Sequence, residues 1–339
     1  MNTALLNADK TFTLESKDAQ PLEEGQVRLD VAWCGICGTD LHIYRGHMDK
    51  RLNFPEVIGH EASATVAEVG PGVTEYAVGD AVVVRPLDAC GECPACERGF
   101  GHVCNNLNFI GIDSSGAFQQ SWNVPAKLLH RLPEGMNLEL AAFVEPLAVA
   151  CHDVRMAGLK ADEFSVVLGG GPIGLLIAMA ARAVGARVAI SELSESRLEL
   201  AQKLGFDTIN AGSDDVEAAV IEKSGADGAD VVFEVSGAAP PIRQMTKLAR
   251  VRGRVVVVAI VPEPTPVDLF QVFWKELQII GTRVYEPEDY DRAIELLASG
   301  EVDPSTLVTG RFGLSQIGEA FQSLDTDSQH MKILVNCQD

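Results

Sequence analysis

Four cysteines lie close together as Cys90, Cys93, Cys96 and Cys104, spaced C-x2-C-x2-C-x7-C. Two-residue gaps let successive thiolates of a tight loop face one centre, and a tetrahedral zinc takes four such ligands. The interleaved Gly91, Pro94 and Gly99 permit the turns. A closed four-thiolate shell has no position for substrate, so this ion is expected to be structural. An iron–sulfur cluster is the competing occupant. Unligated or disulfide-paired thiols are the plainer alternative, disfavoured in a cytosolic chain.

A second set is dispersed. Cys37, Thr39, Asp40 and His42 come first, then Gly59-His60-Glu61, then Glu145-Pro146. Cysteine, histidine and carboxylate are zinc ligand types, and an incomplete protein shell leaves a position for water or an alcohol. Each residue alone has a plainer reading, as a buried thiol or a satisfied core histidine. Spacing alone does not join residues this far apart.

The third signal is Ser165-Val-Val-Leu-Gly169-Gly-Gly171-Pro172-Ile173-Gly174, an apolar run entering G-x-G-x-x-G. Gly169 suits the tight turn, Gly171 lets backbone approach a pyrophosphate, and Gly174 allows close helix–strand packing. Pro172 and Ile173 open the helix, whose N-terminal N–H groups favour phosphate. A second apolar run, Val188-Ala-Ile-Ser191, ends in Glu192, where a carboxylate accepts from adenosine ribose hydroxyls. A carboxylate there repels a 2′-phosphate, so NAD is expected over NADP. Arg197, five residues on, is the one complication, with a solvated helix residue as its plainer reading. Glu234-Val-Ser236-Gly237 and Ala259-Ile260-Val261 fall at later strand ends, where nicotinamide and its ribose are expected.

These residues need elements to carry them. The first ~150 positions hold short β-type runs (Gln26–Trp33, Ala62–Val69, Ala81–Arg85, Phe118–Val124) punctuated by turn signals. A helix-type stretch begins near Ala141 and runs to Gly158. Strands and helices then alternate: 165–168, 173–184, 187–191, 194–204, 231–235, 240–248 and 254–260. Alternation of this kind implies βαβ units and a parallel sheet. A helix at 287–298 and a helix–strand pair (316–324, 332–335) close the chain.

Composition sets limits. The chain has 339 residues, 47% hydrophobic and 22% charged, with a net charge of −21. Strong acidity argues against sequence-independent nucleic-acid binding. No apolar stretch approaches the ~18–20 residues of a membrane span. The N-terminal segment lacks the pattern of a secretory signal. A cytoplasmic location is expected, with the eight cysteines as metal ligands or free thiols.

Taken together, Cys34-Gly-Ile-Cys37-Gly-Thr39-Asp40-Leu-His42, Gly59-His60-Glu61-Ala-Ser63, the cysteine quartet, Val144-Glu145-Pro146 and the glycine loop resemble, in this order, the zinc-containing medium-chain alcohol dehydrogenases. The likeness is to their sorbitol, threonine and polyol dehydrogenase branch and covers nearly the whole chain. It implies an α/β fold: a GroES-like β-barrel catalytic domain over 1–150 and 286–339, with a doubly wound Rossmann NAD domain over 151–285. By that resemblance Cys37 and His60 ligate a catalytic zinc, with Glu61 and Glu145 the two acids for the remaining shell. Which of them binds directly stays open. Thr39 and His42 match a proton relay, and Cys34 a packed thiol. Arg283-Val-Tyr285 resembles the cofactor-side segment of these enzymes. The implied reaction is hydride transfer from a secondary alcohol to NAD, with zinc as Lewis acid. Dimers or tetramers are typical of such enzymes. Two competing readings are the zinc-free quinone reductase branch and a non-catalytic crystallin-like member. The retained zinc-ligand types and Gly171 speak against both.

The substrate is less legible. The resemblance implies pocket walls from the segment after Cys37, around Phe109–Phe118 and near Phe273–Trp274. Tyr44-Arg45-Gly-His47-Met-Asp-Lys50-Arg51 concentrates cations in an otherwise acidic chain. They suit a substrate carboxylate, as in a sugar acid. A solvated or salt-bridged loop is the favoured alternative.

Overall fold

The computed structural model describes residues 1–261, 263–327 and 330–339. The chain divides into two compact units, Met1–Glu145 with Glu286–Asp339, and Pro146–Tyr285.

The first unit is built on a seven-stranded sheet. Its order is Val308–Gly313, Lys332–Asn336, Gln26–Gly35, Glu61–Val69, Ala81–Val84 and Leu129–Arg131, with Ser121–Pro125 also paired to Gln26–Gly35. All pairings are antiparallel except that of Val308–Gly313 with Lys332–Asn336. Gln26–Gly35 therefore has three strand neighbours. It buries Val27, Leu29 and Val31, the period-2 face expected of a half-buried strand; an irregularity between Val31 and Trp33 then shifts the register, and Cys34 is buried. The strand expected from Phe118 begins only at Ser121. Phe118 is instead a fully buried plug, its N–H donated to Ile58 O (3.1 Å). The long helix expected from Ala141 is broken into Leu138–Ala141 and Val144–Met156.

The second unit is a six-stranded parallel sheet. Its order is Asp207–Asn210, Arg187–Glu192, Phe164–Leu168, Ala229–Glu234, Ala249–Val257 and Gln278–Gly281. In chain order this is 3-2-1-4-5-6, the doubly wound dinucleotide-binding arrangement. The order reverses between Phe164–Leu168 and Ala229–Glu234, and ligands of such sheets bind beyond the carboxyl ends at that point. Phe164–Leu168 is buried along its whole length, as strands covered on both faces are. The strand expected at 254–260 spans Ala249–Val257, and Ile260 lies beyond it, exposed.

Candidate metal and dinucleotide sites

Cys37 is the N-cap of the short helix Gly38–Tyr44. Asp40, three residues on, reaches back to accept from the Cys37 N–H (2.9 Å), a capping-box contact that fixes the thiol at the helix start. His60 immediately precedes the strand Glu61–Val69, and Glu61 is its first residue. The ligand atoms of Cys37, His60 and Glu61 all lie within 4.8 Å of one another. Strand pairing contributes, since Gly35 stands opposite Glu61 in the sheet.

The electrostatics of this cluster are unusual. Asp40, His60 and Glu61 are all buried. His60 Nδ1 stands 3.5 Å from Asp40 Oδ1. Burial disfavours charge on His60, but the Asp40 and Cys37 anions outweigh it and push its pKa well above the ordinary value. Lys332, equally buried, forms an ion pair with Glu61 Oε2 and donates to Ile36 O (3.2 Å). Burial alone would lower its pKa. The Glu61 charge first, then Cys37 and Glu145, reverse this and raise it. Buried carboxylates and a thiol facing one point form a donor set that calls for a cation, and soft sulfur with imidazole and carboxylate suits zinc. Glu145, in the first turn of Val144–Met156 and buried, is near enough to act on Lys332 but does not join the three-residue cluster.

The quartet closes on itself. Cys93 Sγ is 3.5 Å from Cys96 Sγ and 3.7 Å from Cys104 Sγ, and Cys104 Sγ is 3.4 Å from Cys90 Sγ. The edge of a ZnS4 tetrahedron with 2.3 Å bonds is about 3.8 Å, whereas a disulfide needs about 2.05 Å. All four are free thiols. Backbone N–H groups point at the sulfurs, from Cys90 and Asn106 to Cys104 Sγ (3.4 and 3.3 Å) and from Asn105 to Cys93 Sγ (3.4 Å). Such donors favour thiolate, and hydrogen bonds from Cys96 and Asn105 hold the Cys93 thiol down at about 6.

In the parallel sheet, Gly169 adopts φ +113° and its N–H donates to Ser191 O (2.8 Å). A Cβ at Gly174 would overlap the Gly169 carbonyl, while one at Gly171 would meet only Arg197 Nη1 at 3.8 Å. The loop is thus tight beneath and open above, a cradle that fits a pyrophosphate at the N-terminus of Pro172–Ala183. Glu192 joins its own loop to the glycine loop. One carboxylate oxygen accepts from Gly170 N–H (2.7 Å), the other from Leu193 and Ser194 N–H (2.7 and 3.0 Å). Arg197 Nη1 stands 3.7 Å from Glu192 Oε2, so this arginine faces the loop.

The sequence places the segment Glu234–Gly237 at a strand end on the crevice side but assigns Glu234 no role of its own. Glu234 is fully buried at the end of Ala229–Glu234, and Oε1 accepts from Ser236 N–H, Ser236 Oγ–H and Gly237 N–H (3.1, 2.5 and 3.1 Å). The turn it holds packs on Gly169, whose Cβ would fall 3.2 Å from Ser236 N. Ser236 is therefore placed at the switch point, and Arg283 is exposed after the last strand. Lys332 was missed, because a lysine opening an apolar strand carries no local mark of its partner. Thr39 is half-buried in the first turn of Gly38–Tyr44 and His42 lies in its last. Arg45 and Arg51 are both paired, Arg45 Nε with Asp325 (2.6 Å) and Arg51 in a fork with Asp113 (2.5 and 2.7 Å). Phe273 and Trp274 are exposed in the second unit.

Comparison with known proteins gives the family. Residues 23–134 match the alcohol dehydrogenase GroES-like domain and residues 172–299 the zinc-binding dehydrogenase domain. The chain is 53% identical over 329 residues to 2-dehydro-3-deoxy-L-galactonate 5-dehydrogenase of Pseudoalteromonas atlantica, covering 97% of this chain and 96% of the relative. It is 33% identical to sorbitol dehydrogenase of Halalkalibacterium halodurans, covering 96% and 95%. The crystal structure of 2R,3R-butanediol dehydrogenase from Bacillus subtilis superposes with a TM-score of 0.91 at 33% identity, over 99% of both chains. With these likenesses extending over nearly its full length, the chain belongs to the zinc-binding alcohol dehydrogenase family and is an oxidoreductase of secondary alcohols.

Proposed function

We propose that this enzyme oxidises a secondary hydroxyl of a sugar acid, in the class of 2-dehydro-3-deoxy-aldonates, with NAD as acceptor. The observation that carries the substrate class is the 53% identity to a dehydrogenase of that type along almost the entire chain. NAD rests on Glu192, the acid that ends the second strand of the dinucleotide fold, whose negative charge would repel a 2′-phosphate. When bound by Cys37, His60 and Glu61 or Glu145, zinc supplies a Lewis acid for the alcohol oxygen.

The protein's own groups do the rest. Thr39, two residues from Cys37, offers a hydroxyl to hold the substrate proton. His42 takes that proton onward. Burial, then the neighbouring His47 and Arg45, lower its pKa, so it is neutral and able to accept at physiological pH. Lys332 offsets the charge of Glu61, so the anionic cluster does not repel a developing alkoxide. The quartet braces its loop. Glu192 and Glu234 hold the turns that receive the dinucleotide; Gly169 and Gly174 let the loop pack tightly, and Gly171 leaves its outer side open to the phosphates.

A neutral polyol is the second reading, favoured by the Arg45–Asp325 and Arg51–Asp113 pairs, which already satisfy both arginines. A panel of aldonates and polyols followed by NADH absorbance decides. Preference for aldonates, with KM raised by Arg45→Ala or Arg51→Ala, supports the sugar acid and assigns the carboxylate contact. Turnover confined to polyols removes the sugar-acid reading, and chelator-insensitive hydride transfer removes the zinc reading.

A homo-oligomer and a cytoplasmic location complete this reading. Among the described residues Gln278–Gly281 is an edge of its sheet, paired on one side only, with Phe270, Phe273 and Trp274 exposed on the preceding helix Leu269–Trp274. An open edge beside an apolar surface favours pairing with a second copy. No described helix is long and apolar enough to cross a membrane.

A further inference from the structure

The helix Gly38–Tyr44 ends in a particular way. The chain turns at Gly46, with φ +81°. Gly46 N–H donates to Ile43 O (3.0 Å) and His47 N–H to His42 O (2.9 Å). This is the Schellman pattern, a 6→1 bond enclosing a 5→2 bond. Its geometry brings together the side chains at either end of the 6→1 bond, usually two apolar groups. Here both are imidazoles. His42 Nδ1 lies 3.2 Å from His47 Nδ1, with ring centroids 5.5 Å apart. At that distance one nitrogen donates its proton and the other accepts it.

From this pairing we infer that His47 is a second proton-transfer residue, which takes the substrate proton from His42 and releases it to solvent. The inference rests on the relay role assigned to His42 above. The step balances within the two rings. His42 receives a proton at Nε2 while the proton on its Nδ1 passes to His47 Nδ1. His47 then gives up the proton on its own Nε2 to water. One N–H bond forms and one breaks on each ring, and no net charge stays on the pair. Arg45 lies between them in sequence, its guanidinium held by Asp325. Partial burial, then His47 and Arg45, lower the His42 pKa, so His42 holds a proton weakly and passes it on. His47 is exposed and His42 is only partly covered, so the final acceptor is bulk water or buffer.

The test compares His47→Gln and His42→Ala with the native holoenzyme, using NAD and 2-dehydro-3-deoxy-L-galactonate, or the best substrate of the panel. His47→Gln is expected to lower kcat about three- to tenfold at pH 7 without changing KM. The loss is expected to shrink at high pH and as a non-coordinating buffer base such as MOPS is raised, because the buffer replaces the missing acceptor. The double variant is expected to be no slower than His42→Ala. In 15N spectra of the labelled holoenzyme, His47→Gln is expected to raise the His42 midpoint, because His47 is one of the neighbours that lower it. If His42→Ala is impaired while His47→Gln matches the native pH profile, the second station is wrong and the relay stands. A loss in His47→Gln uniform across pH and indifferent to buffer also overturns it. If His42→Ala itself is unimpaired, the relay reading fails and this inference with it.

Discussion

Lys332, first residue of the strand Lys332–Asn336, and Glu61, first residue of the strand Glu61–Val69, form an ion pair at the floor of the metal cluster; they are 4% and 1% exposed. The strand Gln26–Gly35 runs between them in the sheet. Its last residue has no side chain because none fits: a Cβ on Gly35 would overlap Glu61 Oε2 and press on Lys332 Cε. Removing one partner of a buried pair leaves an uncompensated charge and costs about 3–5 kcal/mol. Lys332→Met is therefore expected to lower stability by that order in the metal-stripped protein, read by urea unfolding. Lys332→Met with Glu61→Gln removes both charges and is expected to recover most of the loss. A single variant as stable as the native chain would show that the pair contributes nothing.

His42 gives a pH prediction. Its pKa is lowered, by burial first and then by His47 and Arg45. A lowered pKa means that the neutral, accepting ring is present down to a more acidic pH than for a free imidazole. The acid limb of kcat is expected to fall below the ordinary histidine value near 6.5. His42→Ala is expected to slow turnover about ten- to a hundredfold at neutral pH and to recover at high pH, where hydroxide takes the proton. A uniform deficit from pH 6 to 10 would make His42 a structural residue.

Much of the fold was legible because local signals agreed with the tertiary arrangement. The glycine loop, the fully apolar Phe164–Leu168 and the helix Pro287–Ala298, with Pro287 at its start, lie where pattern and capping rules place them. Asp207–Asn210 was not legible. Only Ile209 of its four residues is fully buried, and it is a strand because Arg187–Glu192 supplies its ladder. The helix Val216–Ser224 was missed for a similar reason, burying only Val216 and Val220. In the site, Cys37, His60 and Glu61 are zinc ligand types, but only the resemblance to the zinc dehydrogenases joined them into one set. The roles of their supports were not legible. Lys332 and Glu234 act through contacts that only the folded sheets create, and no spacing rule encodes those contacts.

The quartet predicts a metal count. With one zinc held by Cys90, Cys93, Cys96 and Cys104 and another by the Cys37 cluster, Cys93→Ser is expected to lose one zinc per chain in elemental analysis. Cys93 is the informative position, since its sulfur contacts both Cys96 and Cys104 and accepts from Asn105 N–H. The lost ion is expected to lower the thermal midpoint while the remaining zinc stays chelator-removable with loss of activity. Unchanged zinc content in the variant would show that the quartet binds no metal.

Glu192 carries the cofactor prediction. Its carboxylate accepts from Gly170, Leu193 and Ser194 N–H and holds Arg197 at 3.7 Å. A 2′-phosphate arriving there would meet a negative charge whose hydrogen bonds already commit both oxygens to the loops. Glu192→Ala removes the repulsion and releases Arg197, whose guanidinium is suited to phosphate. The ratio of kcat/KM for NAD over NADP is expected to fall about ten- to a hundredfold, which is ~1.4–2.8 kcal/mol of discrimination. Most of the change is expected as a rise in KM for NAD, because the ribose hydroxyls lose their acceptor. Glu192→Ala combined with Arg197→Ala separates the two causes. If the double variant keeps weak NAD binding but gains nothing for NADP, Arg197 is the phosphate contact. Selectivity unchanged in Glu192→Ala would remove this carboxylate from cofactor choice altogether.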